Sequence, residues 1–161
     1  MKILVLSDSH SALRFMRMSI DSVKPDAVIH LGDYYEDGAV MAREYPHIPF
    51  YQVPGNCDRY RCIPHQQEIL VMPIGGVMFY MTHGHKHMVK SGTDYLLASA
   101  RSCGAQAVLY GHTHQTDCRQ EPDGLWVLNP GSSGSAGVIL VENKTIKSCY
   151  LLWQSDLEGN L

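Results

Sequence analysis

The chain lacks any long hydrophobic run, any Cys-x-x-Cys pair and any large excess of charge, and each absence removes a class of function. The longest uninterrupted apolar stretches are a few residues, far short of the ~20 needed to span a bilayer. Ile3–Leu6 runs straight into Ser7 and Asp8, too short for the core of a signal peptide, so the expected location is the cytoplasm. The five cysteines, at 57, 62, 103, 118 and 149, are odd in number and unpaired in spacing, which argues against a disulfide framework or a zinc knuckle. A net charge of -3 gives no general attraction to nucleic acid or to anionic membranes. The glycine-rich stretch Ser133–Gly137 has no Gly-Lys-Ser/Thr ending, so it reads as a turn rather than a phosphate-binding P-loop.

What remains is a 161-residue chain, 45% hydrophobic and 18% charged, which suits one globular domain over 1–161 with no linker or repeat. Residues 2–7 read as a strand. Ser11 then suits the cap of a helix whose apolar positions Leu13, Met16, Ile20 and Val23 step by three and four until Pro25. Ala27–Leu31 is the next strand, Asp37 starts a shorter helix that stops before Pro46, and Phe50–Val53 is a third strand. This β-α-β-α-β order implies parallel strands. Ile69–Met72 and Val77–Thr82 flank Pro73–Gly76 as a hairpin. A helix over about 93–103 follows, then strands at 107–110, 115–120, 125–129, 137–142 and 145–153.

Five short polar clusters punctuate this pattern: Asp8-Ser9-His10, Gly32-Asp33, Gly55-Asn56-Cys57-Asp58, His83-Gly84-His85 and Gly111-His112-Thr113-His114. Each follows an expected strand, so all five can gather along one sheet edge. Together they offer hard oxygen and imidazole donors in the number that a pair of divalent cations requires. Singly, each has a bland reading: Asp8 as a helix-start cap, His112 and His114 as exposed loop histidines, Asp58 as a turn former. His30, His47, His65 and His87 match no cluster and are read as core or surface residues.

The series Asp-x-His, Gly-Asp, Gly-Asn-Cys-Asp, His, Gly-His-x-His, in this order over residues 8–114, resembles the calcineurin-like metallophosphoesterases. It is most similar to their small bacterial and archaeal phosphodiesterases. The resemblance implies an α/β fold, a four-layer α-β-β-α sandwich of two mixed sheets flanked by helices. It also implies Asp8, His10, Asp33 and His114 around one metal ion and Asp33, Asn56, His83 and His112 around a second, with Asp33 bridging. His85 is then either a direct ligand or a neighbour of one. Asn56, Cys57, Asp58 and His85 are the candidates for a catalytic part. Cys57 departs from the histidine that many members carry, and a thiol is a poor donor to a phosphoryl oxygen or leaving group. Arg59 and Arg61 read as a solvated loop, and Asn129–Ser132 also resembles a family element near the site.

The implied reaction is hydrolysis of a small phosphate ester, through in-line attack by a hydroxide bridging two ions. His, Asp and Asn ligation without thiolate suits Mn²⁺, with Fe, Zn or Ni also compatible. A diester is the expected substrate, with a phosphomonoester as the nearest alternative. A non-catalytic protein-binding scaffold, of the type of the eukaryotic retromer subunit, is the alternative from a different class. No nucleic acid or membrane partner is expected, and a homodimer is compatible with the sequence.

Overall fold

A computed structural model describes residues 1–61 and 66–159, with the backbone alone for Arg59–Arg61. Two five-stranded sheets form the centre. The first contains β1 (Lys2–Leu6), β2 (Ala27–His30), β3 (Phe50–Gln52), β9 (Ser135–Glu142) and β10 (Thr145–Trp153), in the order β10-β9-β1-β2-β3. The second contains β4 (Ile69–Ile74), β5 (Val77–Thr82), β6 (Ala107–Leu109), β7 (Asp117–Gln120) and β8 (Trp126–Asn129), in the order β4-β5-β6-β8-β7. Strands β1, β2 and β3 pair in parallel, as do β5, β6 and β8, whereas β9, β10, β4 and β7 join antiparallel. Both sheets are therefore mixed, as expected.

Side-chain alternation along the strands builds the layers. In β1, Ile3 and Val5 enter the space between the sheets, where they meet Ile29, Phe79, Met81, Leu109 and Ile139. Leu4 and Leu6 point the other way, toward α1 (Leu13–Val23) and α2 (Tyr35–Glu44), against Phe15, Met16, Ile20 and Met41. On the outer face of the second sheet, Tyr80, Val108 and Val127 meet Leu96, Leu97 and Ala100 of α3 (Asp94–Ser102). The result is the expected four-layer sandwich. Neither side of a central strand faces water, which is why β1 and β2 read as nearly continuous apolar runs.

Several local expectations are corrected. Ser11 does not cap α1; Ala12 occupies that position without a side-chain cap, and α2 begins at Tyr35 rather than Asp37. Both differences share one cause. The Asp37 carboxylate reaches across to the first loop, where its Oδ2 accepts hydrogen bonds from Ser9 Oγ (2.7 Å) and the Ser11 backbone N–H (2.8 Å). Pro73 is inside β4 rather than in the turn, tolerated because β4 is an edge strand and a missing N–H breaks no central ladder. The turn itself is Gly75–Gly76, both at positive φ as a tight two-residue hairpin demands. A short helix, α4 (Gln154–Glu158), was not expected; it buries Leu157 against the α1 side of the first sheet. His65 and Cys62 lie outside the described residues. No described helix is long and apolar enough to cross a membrane.

Candidate metal centre

The clusters converge at the carboxyl ends of β1, β2, β5 and β6 and on the short 3-10 helix Asn56–Arg61 after β3. Ligand-binding loops of parallel sheets collect at this edge. The backbone there is tense: Asp8, His10, Asp33, His112 and His114 all have positive φ, between 46° and 68°. Non-glycine residues adopt that conformation only where surrounding contacts impose it, and such strain concentrates at functional sites. Two glycines allow the loops to touch. A Cβ on Gly55 would lie 2.8 Å from the Asp33 carboxyl carbon, and one on Gly111 would lie 2.7 Å from Asp8 Oδ2 and collide with the Ser7 hydroxyl.

Asp8 is at the middle. It is fully buried; its Oδ2 accepts hydrogen bonds from Ser7 Oγ (2.5 Å) and the His112 N–H (3.1 Å). Its Oδ1, equally buried, has no hydrogen-bond partner among the described residues. That atom instead has imidazole nitrogens around it, His114 Nε2 at 3.0 Å and His83 Nε2 at 3.9 Å. A buried carboxylate oxygen that accepts no hydrogen bond and faces imidazole nitrogens is a position that a cation can complete. Two sets of potential ligands surround it, Asp8 with His10 and His114, and Asp8 with Asp33 and His83, the atoms of each lying within 4.8 Å of one another. The donors are carboxylate and imidazole, a set that suits divalent transition metals and Mn²⁺. The residues fit a metal centre.

The His83 tautomer supports the same reading. His83 is fully buried, and its Nδ1–H donates to the Leu31 carbonyl at 2.7 Å. That bond turns Nε2 toward Asn56 Oδ1 (3.1 Å) and Asp33 Oδ2 (3.5 Å), the usual way of aiming a ligating imidazole. Burial pulls the His83 pKa down, but the Asp33 and Asp8 carboxylates outweigh it and hold the ring above its ordinary value. Burial would likewise raise Asp33, yet His83 and the Cys57 N–H, 2.9 Å from Asp33 Oδ1, keep its carboxyl well below the usual range. His112 is lowered to about 4 by burial and the neighbouring His83, leaving a neutral ring at pH 7.

The expected residues are thus brought together, though not identically to expectation. Asp8 belongs to both ligand sets, and Asp33, the expected bridge, belongs to one. His10 and His114 form one ring pair, with centroids 5.2 Å apart; His83, His85 and His112 form a second group at 5.0 to 6.1 Å. His112 and His85 stand in that group but in neither ligand set. Cys57 is exposed, with its thiol pKa raised by burial and by Asp33, so it stays protonated. Asp58 faces inward: Oδ1 accepts from the Tyr35 N–H (2.9 Å) and Oδ2 from the Gly55 N–H (2.7 Å), joining two site loops. The side chains of Arg59 and Arg61 lie outside the described residues.

Two supporting residues, His30 and Asp37, have no part in the site as read from the sequence, and Asn129 joins them in holding the loops. His30, set aside there, is fully buried; its Nδ1 accepts from the Gly32 N–H (3.4 Å) and its Nε2 lies 3.0 Å from Ser9 Oγ, which donates to Asp37. This chain of bonds ties the Asp8 loop to the Asp33 loop. Asn129, also buried, donates to the Gly111 carbonyl (3.1 Å) and Thr113 Oγ1 (3.0 Å), fixing the His112–His114 loop. Only the position of His30, three residues before Asp33 on a strand, hinted at its part. A larger hollow, of about 590 Å³, lies at the other end of the second sheet near Arg101, Asp123 and Trp126 and contains none of these residues.

A model of the calcineurin-like phosphoesterase superfamily domain matches residues 1–149. The chain belongs to that superfamily. A Mycoplasma pneumoniae protein described as a probable metallophosphoesterase is 31% identical over 134 residues, covering 81% of this chain and 78% of that protein. Among solved structures, a conserved uncharacterized protein of Streptococcus pneumoniae, described as a predicted phosphoesterase, superimposes with a TM-score of 0.75. It is 26% identical, and the match covers 96% of this chain and 90% of that one. Vps29 of Entamoeba histolytica, in a complex with Zn²⁺, gives a TM-score of 0.72 at 18% identity, with 96% and 99% covered, and this likeness concerns the fold. As a calcineurin-like phosphoesterase, the chain has the donor set of a metal-dependent enzyme acting on phosphate esters.

Proposed function

We propose that this phosphoesterase is a phosphodiesterase working with two divalent ions, most readily Mn²⁺, at the ligand sets that share Asp8. The observation that carries the reading is the buried Asp8 Oδ1, which accepts no hydrogen bond among the described residues and lies between the two imidazole groups. Asp8, His10 and His114 would hold one ion, and Asp8, Asp33, Asn56, His83 and His112 the other. Such ions supply Lewis acidity toward the phosphoryl oxygens and lower the pKa of water. The chain's own contribution is to set the ligands before substrate arrives. Leu31 fixes the His83 tautomer, Ser7 and the His112 N–H orient Asp8, and the Cys57 N–H orients Asp33.

No charged general acid stands at position 57, where a protonated thiol is a weak donor. Departure of the alcohol therefore depends on the leaving group's own acidity, so the enzyme favours esters with good leaving groups. A small ester rather than a nucleic acid as substrate agrees with the net charge of -3.

The likeness to Vps29 sustains a second reading, a binding scaffold. Metal content does not separate the two, because that Vps29 structure is itself described as a Zn²⁺ complex. Hydrolysis does. Metal-stripped protein is given bis-p-nitrophenyl phosphate or p-nitrophenyl phosphate before and after Mn²⁺, alongside Asp33→Ala. Mn²⁺-dependent cleavage of the diester that is lost in Asp33→Ala is expected. Preference for the monoester would move the enzyme to the phosphatase branch, and cleavage of neither ester with any metal would favour the scaffold.

A further inference from the structure

Beside His114 opens a hollow of about 440 Å³, lined by His114, Gln115, Thr116, Ser132, Ser135 and Trp153 among others. Its volume falls in the range of small-molecule sites. We propose that it receives the organic substituent of the ester, and that this substituent is a planar aromatic ring, an aryl group or a nucleobase, stacked on Trp153. The inference rests on the phosphodiesterase reading for the position of the phosphoryl group.

Three observations carry it. First, the hollow abuts the metal centre directly, because His114 both lines it and has its Nε2 3.0 Å from Asp8 Oδ1. An ester held at the centre can extend a substituent into it. Second, apart from His114 the lining bears no ionisable side chain among the described residues. A second phosphate or a carboxylate would find no counter-charge there, whereas the polar edge of a ring would find Gln115, Thr116 and Ser132. Third, Trp153 is 44% exposed, a large apolar surface that the fold leaves in water at the rim of a cavity. Its backbone is nevertheless fixed: the Trp153 backbone N–H donates to Asp156 Oδ2 (2.8 Å), the Gln154 backbone N–H donates to the Gly134 carbonyl (3.0 Å), and Ser135 opposite it donates through its hydroxyl to the Pro130 carbonyl (2.6 Å). An exposed indole on a held backbone is a stacking platform that accepts any flat ring at little ordering cost.

The test keeps one leaving group and varies the other substituent. The ratio of kcat/KM for thymidine 5′-(p-nitrophenyl phosphate) to that for ethyl p-nitrophenyl phosphate is measured in wild type, Trp153→Ala and Trp153→Phe. Phenyl p-nitrophenyl phosphate serves as a third ester, to separate an aryl group from a nucleobase. A fall in the ratio of about ten-fold in Trp153→Ala, with most of it kept in Trp153→Phe, is expected from the loss of one stacked ring. An unchanged ratio in Trp153→Ala overturns the proposal while leaving the phosphodiesterase reading intact. If wild type hydrolyses none of these esters, that reading fails, and tryptophan fluorescence decides the pocket on its own. Quenching by thymidine 5′-monophosphate that disappears in Trp153→Phe supports the platform, and absence of quenching in wild type overturns it.

Discussion

Gly111→Ala tests how closely the loops are fitted around Asp8. Gly111 is buried, and its added methyl would stand 2.7 Å from Asp8 Oδ2, 3.1 Å from Ser7 Cβ and nearer still to Ser7 Oγ. The methyl occupies the path of the Ser7 Oγ–Asp8 hydrogen bond, so either Ser7 turns away or the Asp8 carboxylate rotates. Losing a charge-assisted hydrogen bond costs about 1.5–3 kcal/mol, and overpacking a tight site adds roughly 1–3 kcal/mol. Allowing for partial relaxation, a loss of about 2–4 kcal/mol follows, or a drop in melting temperature of about 5–12 °C for a domain of this size. Because Asp8 is the carboxylate common to both ligand sets, Mn²⁺ affinity falls by about 10–100-fold, the usual range when a ligand loses its orienting partner. Melting curves of metal-stripped protein separate the first effect from calorimetric Mn²⁺ titration, which reports the second. Ser7→Ala in the same chain removes the nearest obstacle, so the double variant should be more stable than additivity of the two single changes allows. Gly159→Ala, whose Cβ would meet nothing closer than 3.7 Å, is the neutral control. Gly111→Ala protein that melts with wild type and binds Mn²⁺ equally well would refute the fitted-loop argument.

Three further outcomes are expected. Cys57→His should retain Mn²⁺ binding and raise turnover on esters with poor leaving groups; loss of bound metal in that variant would contradict the placement of Cys57 beside, rather than within, the ligand sets. Burial lowers His30 from 6.5 to about 4, so between these values the unfolded chain binds a proton that the folded protein refuses, and stability must fall as pH falls through that window. From pH 7.5 to 5 this contribution amounts to about 2 kcal/mol; denaturant titrations should show wild type losing that much more than His30→Gln, and identical pH dependence in the two would remove the buried-neutral assignment. Saturating Mn²⁺ at about a hundred times its dissociation constant should stabilise metal-stripped wild type by about 2.7 kcal/mol per site. Asp8→Ala should gain nothing comparable, and an equal rise in its melting temperature would place the metal elsewhere.

How much of this could be read from the sequence divides along a physical line. Strand and helix positions were legible because alternation and three-to-four spacing are local, as in Leu4 and Leu6 against Ile3 and Val5. The candidate ligand residues were legible because each follows a strand and the topology delivers strand ends to one edge. Nothing local announced that Asp37 would leave its own helix start to hold Ser9 and Ser11, since that contact joins residues 26 and 28 apart. His30 was passed over for the same reason: alone it is an apolar-strand histidine, and only the nearness of Ser9 and Gly32 gives it a part. Asp58 reads from its motif as a turn former and a candidate for a catalytic part, and the motif does not say which backbone groups its two oxygens hold, those of the Gly55 and Tyr35 segments. The central place of Asp8 depends on side-chain directions that no spacing rule encodes. Trp153 was read as the end of a strand, and its position beside His114 required the packing of β10 near the Gly111–His114 loop.

The claim on which all of this depends is that two ions sit around Asp8. Crystals grown with Mn²⁺ and measured at the manganese absorption edge should show two anomalous peaks, one between Asp8, His10 and His114 and the other between Asp8, Asp33 and His83. A single peak, or manganese bound only away from these residues, would contradict it.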